Sequence, residues 1–199
     1  MPDALGFEHA ATLPVAVETA TRSIDLLGVG AGQTAVVNGA TGGVGSAAVQ
    51  LLCLRGVMVI GTTSAVNLDY LASLGATPVT YGEGVEARIR DAAPDGVDAV
   101  LDLAGHGFAP IAIALTGDPA RVVSTADFAA ASLGIRLSTG SQTPTAATFA
   151  PILPLAADGR FQSEIARTFA LSEIQAAHEL VGTGHIRGKA IITMKENNA

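Results

Sequence analysis

The chain has no tryptophan, and aromatic residues fill only 4% of its 199 positions, so a core must be built from Ala, Val, Leu and Ile. It has a single cysteine, Cys53, which excludes an internal disulfide and a cysteine-based zinc site. Charge is sparse as well: 15% of residues are Asp, Glu, Lys or Arg, and 11 basic against 18 acidic side chains give a net charge of −7. That balance carries neither the footprint of a nucleic-acid binder nor a polybasic membrane patch. No uncharged apolar run is long enough to span a bilayer, and Met1-Pro2-Asp3 lacks the basic start of a secretory signal. A soluble cytoplasmic protein is the expectation. Intrinsic disorder is excluded by an apolar content of 49%.

What is present is glycine, 23 residues against 9 prolines, and an alternation of short apolar runs with helical periodicity. Residues 8–27 read as a helix closed by Gly28 and Gly30, followed by a strand at Thr34–Asn38. Helix is expected again over 46–55, 65–74, 83–92 and 108–115. Strands are expected at 57–60, 78–81, 97–103, 121–124 and 135–138. Such alternation points to a parallel sheet covered on both faces. From about Thr143 the rhythm changes to a helical stretch over 146–158 that Pro151 and Pro154 should bend or break. A strand at 165–170, a helix at 172–181 and a closing strand at 190–194 follow, and look appended to the alternating region.

The informative segment is Val36-Val37-Asn38-Gly39-Ala40-Thr41-Gly42-Gly43-Val44-Gly45-Ser46. Ala40, Gly42 and Gly45 have G-x-G-x-x-G spacing with alanine in the first slot. The segment follows a predicted strand and opens a predicted helix, as a dinucleotide-binding turn requires. There the chain must turn sharply and let its backbone approach a diphosphate at the helix N-terminus. No lysine follows the glycines, so a Walker P-loop is excluded. About 20 positions on, where an acid would read the adenosine ribose, stand Gly61-Thr62-Thr63-Ser64. No Asp or Glu occurs from Leu26 to Leu68. That absence favours NADP(H) over NAD(H), because an acid there would repel a 2′-phosphate. Arg55 is the only cation in the interval, and the hydroxyls of Thr62, Thr63 and Ser64 are weaker candidate donors.

Other residues carry less. His9, His178 and His185 read as solvated or packed side chains, whereas His106 follows Gly105 at the carboxyl end of a strand, where ligands bind in open α/β sheets. No spaced Cys/His/Glu set offers the three ligands of a catalytic zinc. Asp98 and Asp102 stand on one strand face, with Asp102 expected to cap or orient a loop. Tyr-x-x-x-Lys and G-x-S-x-G are both missing.

On these segments the sequence resembles the zinc-independent quinone oxidoreductase branch of the medium-chain dehydrogenases/reductases, relatives of zeta-crystallin and polyketide enoyl reductases. The resemblance is carried by Ala10-Ala11-Thr12-Leu13-Pro14 with Thr19-Ala20, by Asn38–Gly45, by Ile60-Gly61-Thr62-Thr63-Ser64 and by Leu74-Gly75-Ala76. Gly96–Asp102 and Gly184-His185-Ile186-Arg187-Gly188-Lys189 complete it. It implies a doubly wound Rossmann fold, α/β/α in three layers, with strand order 3-2-1-4-5-6. Residues 1–28 would form an opening helix, 29–142 the NADP-binding core, and 143–199 a fragment returning toward a GroES-like catalytic domain. That domain is expected to be missing, because Met1 falls just before the opening helix.

Carried over by position, Ala40, Thr41, Gly42, Gly43, Val44 and Gly45 would receive the diphosphate, and Thr62, Thr63 and Ser64 would flank the 2′-phosphate. Tyr81 matches a tyrosine that the family often has near that phosphate, while Asn67 stands where it often carries a lysine. Ala104, Gly105, Ser124 and Thr125 would border the ribose and nicotinamide, with Thr19 approaching the nicotinamide. The implied activity is hydride transfer from NADPH to a small quinone or enone-type acceptor; no catalytic residue within the chain is identified. A homodimer would form through the edge strand at Ile135–Ser138. Alternatives are a non-catalytic nucleotide-binding or oligomerisation module, and an enoyl reductase component acting on enoyl thioesters.

Overall fold

Every residue of β1 (Thr34–Asn38) is buried, which a strand achieves only when both faces of its sheet are covered. The computed structural model describes Pro2, residues 4–140 and residues 146–194. In it β1 lies at the centre of a six-stranded parallel sheet, beside β2 (Met58–Thr63), β3 (Thr77–Thr80), β4 (Ala99–Asp102), β5 (Val122–Ser124) and β6 (Arg136–Leu137). The spatial order is β3-β2-β1-β4-β5-β6, the doubly wound order expected. Register runs from Val37 to Gly61 on one side and from Asn38 to Asp102 on the other.

Alternation along each strand divides the core in two. Ala35, Val37, Val59, Ala99, Leu101 and Val123 face a cluster built with α1 (Phe7–Leu27) and α2 (Gly43–Leu54), to which α3 (Leu68–Ser73) adds Leu71. Val36, Ile60, Val79, Val100 and Val122 face the opposite cluster, built with α4 (Val85–Ala92) and α5 (Ala109–Thr116). The strands themselves supply these faces with Ala, Val, Leu and Ile, while the buried aromatics Phe161 and Phe108 come from outside the sheet. Pro78 is tolerated because β3 is an edge strand, where a missing N–H costs no ladder bond on the open side.

The first turn of the third helical segment is a 3₁₀ turn at Ala65–Asn67 that leads into α3. A 3₁₀ turn at Phe128–Leu133, absent from the sequence expectation, fills the gap before β6. The long helix expected over 146–158 is two short ones, α6 (Ala146–Phe149) and α7 (Ile152–Ala157), divided just before Pro151. Pro154 survives inside α7 because it lies in the first turn, where its missing N–H has no helical acceptor to lose. The expected boundary near Thr143 lies outside the described residues.

Beyond it β7 (Ile165–Ala170) and β8 (Lys189–Thr193) form a two-stranded parallel sheet joined through α8 (Ile174–Gly182). This unit docks on the main domain by polar contacts. The Gln50 amide donates to Gln162 O (2.9 Å) and accepts from Gln162 N–H (2.7 Å), while Gly188 N–H donates to Thr41 O (3.2 Å). Among the described residues no helix is long and apolar enough to cross a membrane. Replacing Gln50 by Leu leaves both Gln162 backbone groups unpaired, so stability should fall by roughly 1–3 kcal/mol in denaturant unfolding. Proteolytic nicking between residues 158 and 164 should rise in parallel.

Candidate dinucleotide-binding site

The turn from β1 into α2 brings three glycines together for three different reasons. A Cβ on Gly45 would lie 2.1 Å from Gly39 O, so only glycine lets the turn close. A Cβ on Gly43 would lie 2.6 Å from Cε of Lys189, whose aliphatic stem crosses the turn from β8. Gly42 is different: φ −71° and ψ 171° suit any residue, and the nearest protein atom to a Cβ there is Gly39 O at 3.5 Å. Neither strain nor crowding demands glycine at 42. Its bareness leaves the N-terminus of α2 open to approach, which is the room a diphosphate needs. Gly42 provides no capping side chain, and the first amide of the turn to find a helical partner is Ser46 N–H, donating to Gly42 O (2.9 Å). The amides of Val44 and Gly45 have no partner among the described residues and are open to a ligand, whereas Gly43 lies against Gly188 O. The residues therefore fit a dinucleotide's diphosphate.

Beneath this turn runs a buried chain of polar side chains along the carboxyl edge of the sheet. Thr62 Oγ1 accepts from Gly39 N–H (3.1 Å) and donates to Asn38 Oδ1 (2.7 Å), and Asn38 Nδ2 donates to Asp102 Oδ1 (2.8 Å). The same Asp102 oxygen accepts from the amides of Ala104 (3.3 Å) and Gly105 (2.8 Å). Ser124 Oγ accepts from the amides of Ala126 (3.2 Å) and Asp127 (3.0 Å), which leaves its proton for Asp102 Oδ2 (3.2 Å). Asp102 is 1% exposed and has no cation among its partners. Asp98, at the other end of β4, accepts from Thr34 N–H (2.8 Å), so the two carboxylates never share a site.

At the carboxyl end of β2, Thr62 and Thr63 are buried and their hydroxyls are engaged, Thr62 with Asn38 and Thr63 with Thr41 (2.8 Å). Ser64 is half-buried and accepts from Asn67 Nδ2 (3.1 Å). Tyr81 is 54% exposed, and its N–H donates to Thr63 O (3.0 Å). Arg55 is remote from them: it precedes β2, at the amino edge of the sheet, and pairs there with Asp25 (2.8 Å). Arg88, which sequence reasoning did not single out, reaches this end from α4 and binds Thr80 O. Nothing in the helical pattern around it distinguishes it from Arg90.

At the other end, Ala104 and Gly105 follow β4, and Thr125 follows β5 with its N–H on Asp102 O (3.0 Å). Thr19 is half-buried on α1 and donates to Glu18 (3.2 Å), which pairs with Arg22 (2.8 Å). Arg22 and Ser23 both donate to Ser138, at the end of β6. His106 is exposed, with φ 54° between two left-handed glycines, a conformation that costs a non-glycine residue about 1–2 kcal/mol. His9, His178 and His185 are exposed as well.

Burial lowers the Lys189 ammonium from its ordinary value. Burial and then the Glu164 carboxylate push the Tyr70 phenol up, against Ser46 and Arg187, and its hydroxyl has no hydrogen-bond partner. The Arg187 guanidinium lies 4.8 Å from the Tyr70 ring centre and pairs with Glu164 (2.8 Å). Cys53 is a half-buried thiol that burial pushes up. Among the described residues no group of three or more His, Cys, Asp or Glu side chains could hold a metal ion.

An open parallel sheet, crossed over between β1 and β4 and fronted by a bare glycine turn, defines a dinucleotide-binding α/β domain. Residues 74–192 match the family model described as zinc-binding dehydrogenase, and the chain belongs to that family, within the medium-chain dehydrogenases/reductases. It corresponds to their cofactor-binding part. It is 34% identical over 128 residues to 2-methylene-furan-3-one reductase of Solanum lycopersicum, covering 63% of this chain and 32% of that protein. It is 30% identical over 210 residues to spectinabilin polyketide synthase system protein NorB of Streptomyces orinoci, covering 98% of this chain and 10% of that one. Among solved structures, the quinone oxidoreductase from Coxiella burnetii superposes with a TM-score of 0.80 at 29% identity, covering 97% of this chain and 62% of that one. The chain thus spans about a third or less of the two curated relatives. The residues described do not fit the zinc that the family's description implies.

Replacing Asp102 by Leu leaves the Asn38 amide, the Ser124 hydroxyl and two loop amides without an acceptor. Stability should fall by upward of about 3 kcal/mol. Asp102→Asn keeps one oxygen for the three donors to Oδ1 and should cost distinctly less, as thermal and denaturant unfolding of the two variants will measure.

Proposed function

We propose that this chain is the NADPH-binding part of an oxidoreductase that delivers a hydride to a quinone or enone-type acceptor. The observation that carries the reading is Gly42, bare without structural need at the mouth of α2. An anion there gains roughly 0.3–1 kcal/mol from the helix dipole, before direct hydrogen bonds to the amides. Thr41, Gly43, Val44 and Gly45 complete the diphosphate cradle around Gly42, with Ala40 beneath it. Thr62, Thr63, Ser64, Asn67 and Tyr81 border the adenosine ribose. The lack of an acid from Leu26 to Leu68 favours the 2′-phosphorylated cofactor.

When bound, the nicotinamide supplies the hydride. The chain's own part is orientation: Asp102 fixes the loop bearing Ala104 and Gly105 by its amides and the loop after β5 through Ser124. Thr125 and Thr19 border the nicotinamide end. The open edge of β6 is where we place a second copy of the chain, since pairing would cover an exposed strand. A cytoplasmic location goes with this reading. The acceptor pocket is completed by a further catalytic domain.

A second reading, reduction of enoyl thioesters, is favoured by the similarity to a polyketide synthase protein along 98% of the chain. Turnover of NADPH with a quinone and with an enoyl thioester, in the presence of a complementing catalytic domain, separates the two. Gly42→Val should weaken NADPH binding tenfold or more, roughly 1.4 kcal/mol, with the melting temperature unchanged. Gly45→Ala should lower both. Titration calorimetry paired with thermal melts checks the contrast, and retention of wild-type affinity in Gly42→Val would count against the diphosphate assignment.

A further inference from the structure

An NADP(H) site without an acid also needs a positive charge, and the side chains at the end of β2 carry none. Thr62 has given its proton to Asn38, Thr63 is paired with Thr41, and Asn67 is uncharged and tied to Ser64. Arg55 is held at the opposite edge of the sheet by Asp25. Arg88 remains. Its Nε and Nη2 donate to Thr80 O (3.2 and 2.9 Å), Nη2 also approaches Tyr81 O (3.4 Å), and Nη1 donates to Glu83 O (2.9 Å).

These partners are backbone carbonyls, so the charge is immobilised without being neutralised. Five ion pairs among the described residues take up Arg22, Arg55, Arg90, Arg160 and Arg187, and none involves Arg88. The location follows from register. Thr80 lies opposite Thr63, and Tyr81 N–H bonds Thr63 O, which puts the clamped guanidinium at the carboxyl end of β3, one strand from the end of β2. One Nη1 hydrogen has no recorded acceptor, since only one bond from that nitrogen is made. A guanidinium fixed in its plane before binding loses little entropy when it meets a phosphate.

We propose that Arg88 is the residue that sets cofactor specificity, supplying the positive charge for the 2′-phosphate of the adenosine ribose while its carbonyl clamp holds the Tyr81 turn. This rests on the dinucleotide reading above and adds to it the group that distinguishes NADP(H) from NAD(H). Hydrogen bonds between ionised partners are about twice as strong as neutral ones, so a single such contact can govern the choice.

The test uses the full chain and two fragments, 2′,5′-ADP and 5′-ADP, which differ only in the 2′-phosphate. Affinities are measured for wild type, Arg88→Gln and Arg88→Lys, with thermal melts alongside. Wild type is expected to prefer 2′,5′-ADP, with the preference eroding as salt rises. Arg88→Gln keeps hydrogen-bonding capacity without charge and should lose about tenfold of that preference, its 5′-ADP affinity unchanged. Arg88→Lys keeps the charge without the planar clamp and should retain most of the preference; should Arg88→Gln not fold, Arg88→Lys decides. Preference lost in Arg88→Lys with 5′-ADP affinity intact, or retained in full by Arg88→Gln, overturns the proposal. Equal wild-type affinity for the two fragments also overturns it while leaving the dinucleotide site standing. Failure of wild type to bind either fragment or NADPH overturns the dinucleotide reading itself.

Discussion

A buried carboxylate with no cation must be satisfied by hydrogen bonds or not be there at all. Asp102 meets that condition with donors from three strand ends: Asn38 from β1, its own following loop, and Ser124 from β5. Because the Asn38 and Ser124 side chains are also committed elsewhere, the constraint spreads. Asn38 is fixed in one amide orientation by Thr62, and Thr62 in turn holds the amide of Gly39, where the glycine turn begins. The cofactor crevice is thus shaped from below by one charge, and the loops that line it owe their positions to a network rather than to their own propensities.

The appended unit participates in the same site. Gly188 pairs with the turn at Gly42, and Lys189 lies across Gly43, so the β7–β8 unit roofs one side of the α2 N-terminus. In sequence Gly43 is one of the unspecified positions of the glycine motif. In space its open face is crossed by the flexible stem of a side chain from 146 residues later, which would have to shift to make room for a Cβ. The contact also half-buries Lys189 beside the α2 N-terminus, and that burial lowers its ammonium from the ordinary value.

Much of the architecture was legible because its signals are local. The alternation of apolar runs and helical periods located all eight strands, the family resemblance supplied the order of the first six, and Pro151 marked the break between α6 and α7. The 3₁₀ turn at Phe128–Leu133 was not legible: its run of alanines carries no period, and it exists to close the gap to an edge strand. Within the site, the strand–glycine–helix context identified the turn, and Asp102 was recognisable as a loop-orienting residue. The hydroxyl pairings of Thr62 and Thr63, the remoteness of Arg55 and the clamp of Arg88 were not recognisable, since each depends on which strand lies beside which.

The sequence alone determined the covered parallel sheet, the bare turn at its centre and the absence of an acid from Leu26 to Leu68, because composition and spacing act within a few residues of themselves. Tertiary structure alone decided which hydroxyls are paired, where the Arg88 guanidinium is clamped and why Gly45 must be glycine while Gly42 need not be. Those are matters of hydrogen-bond partnership and excluded volume between segments far apart in the chain, and no local pattern encodes them.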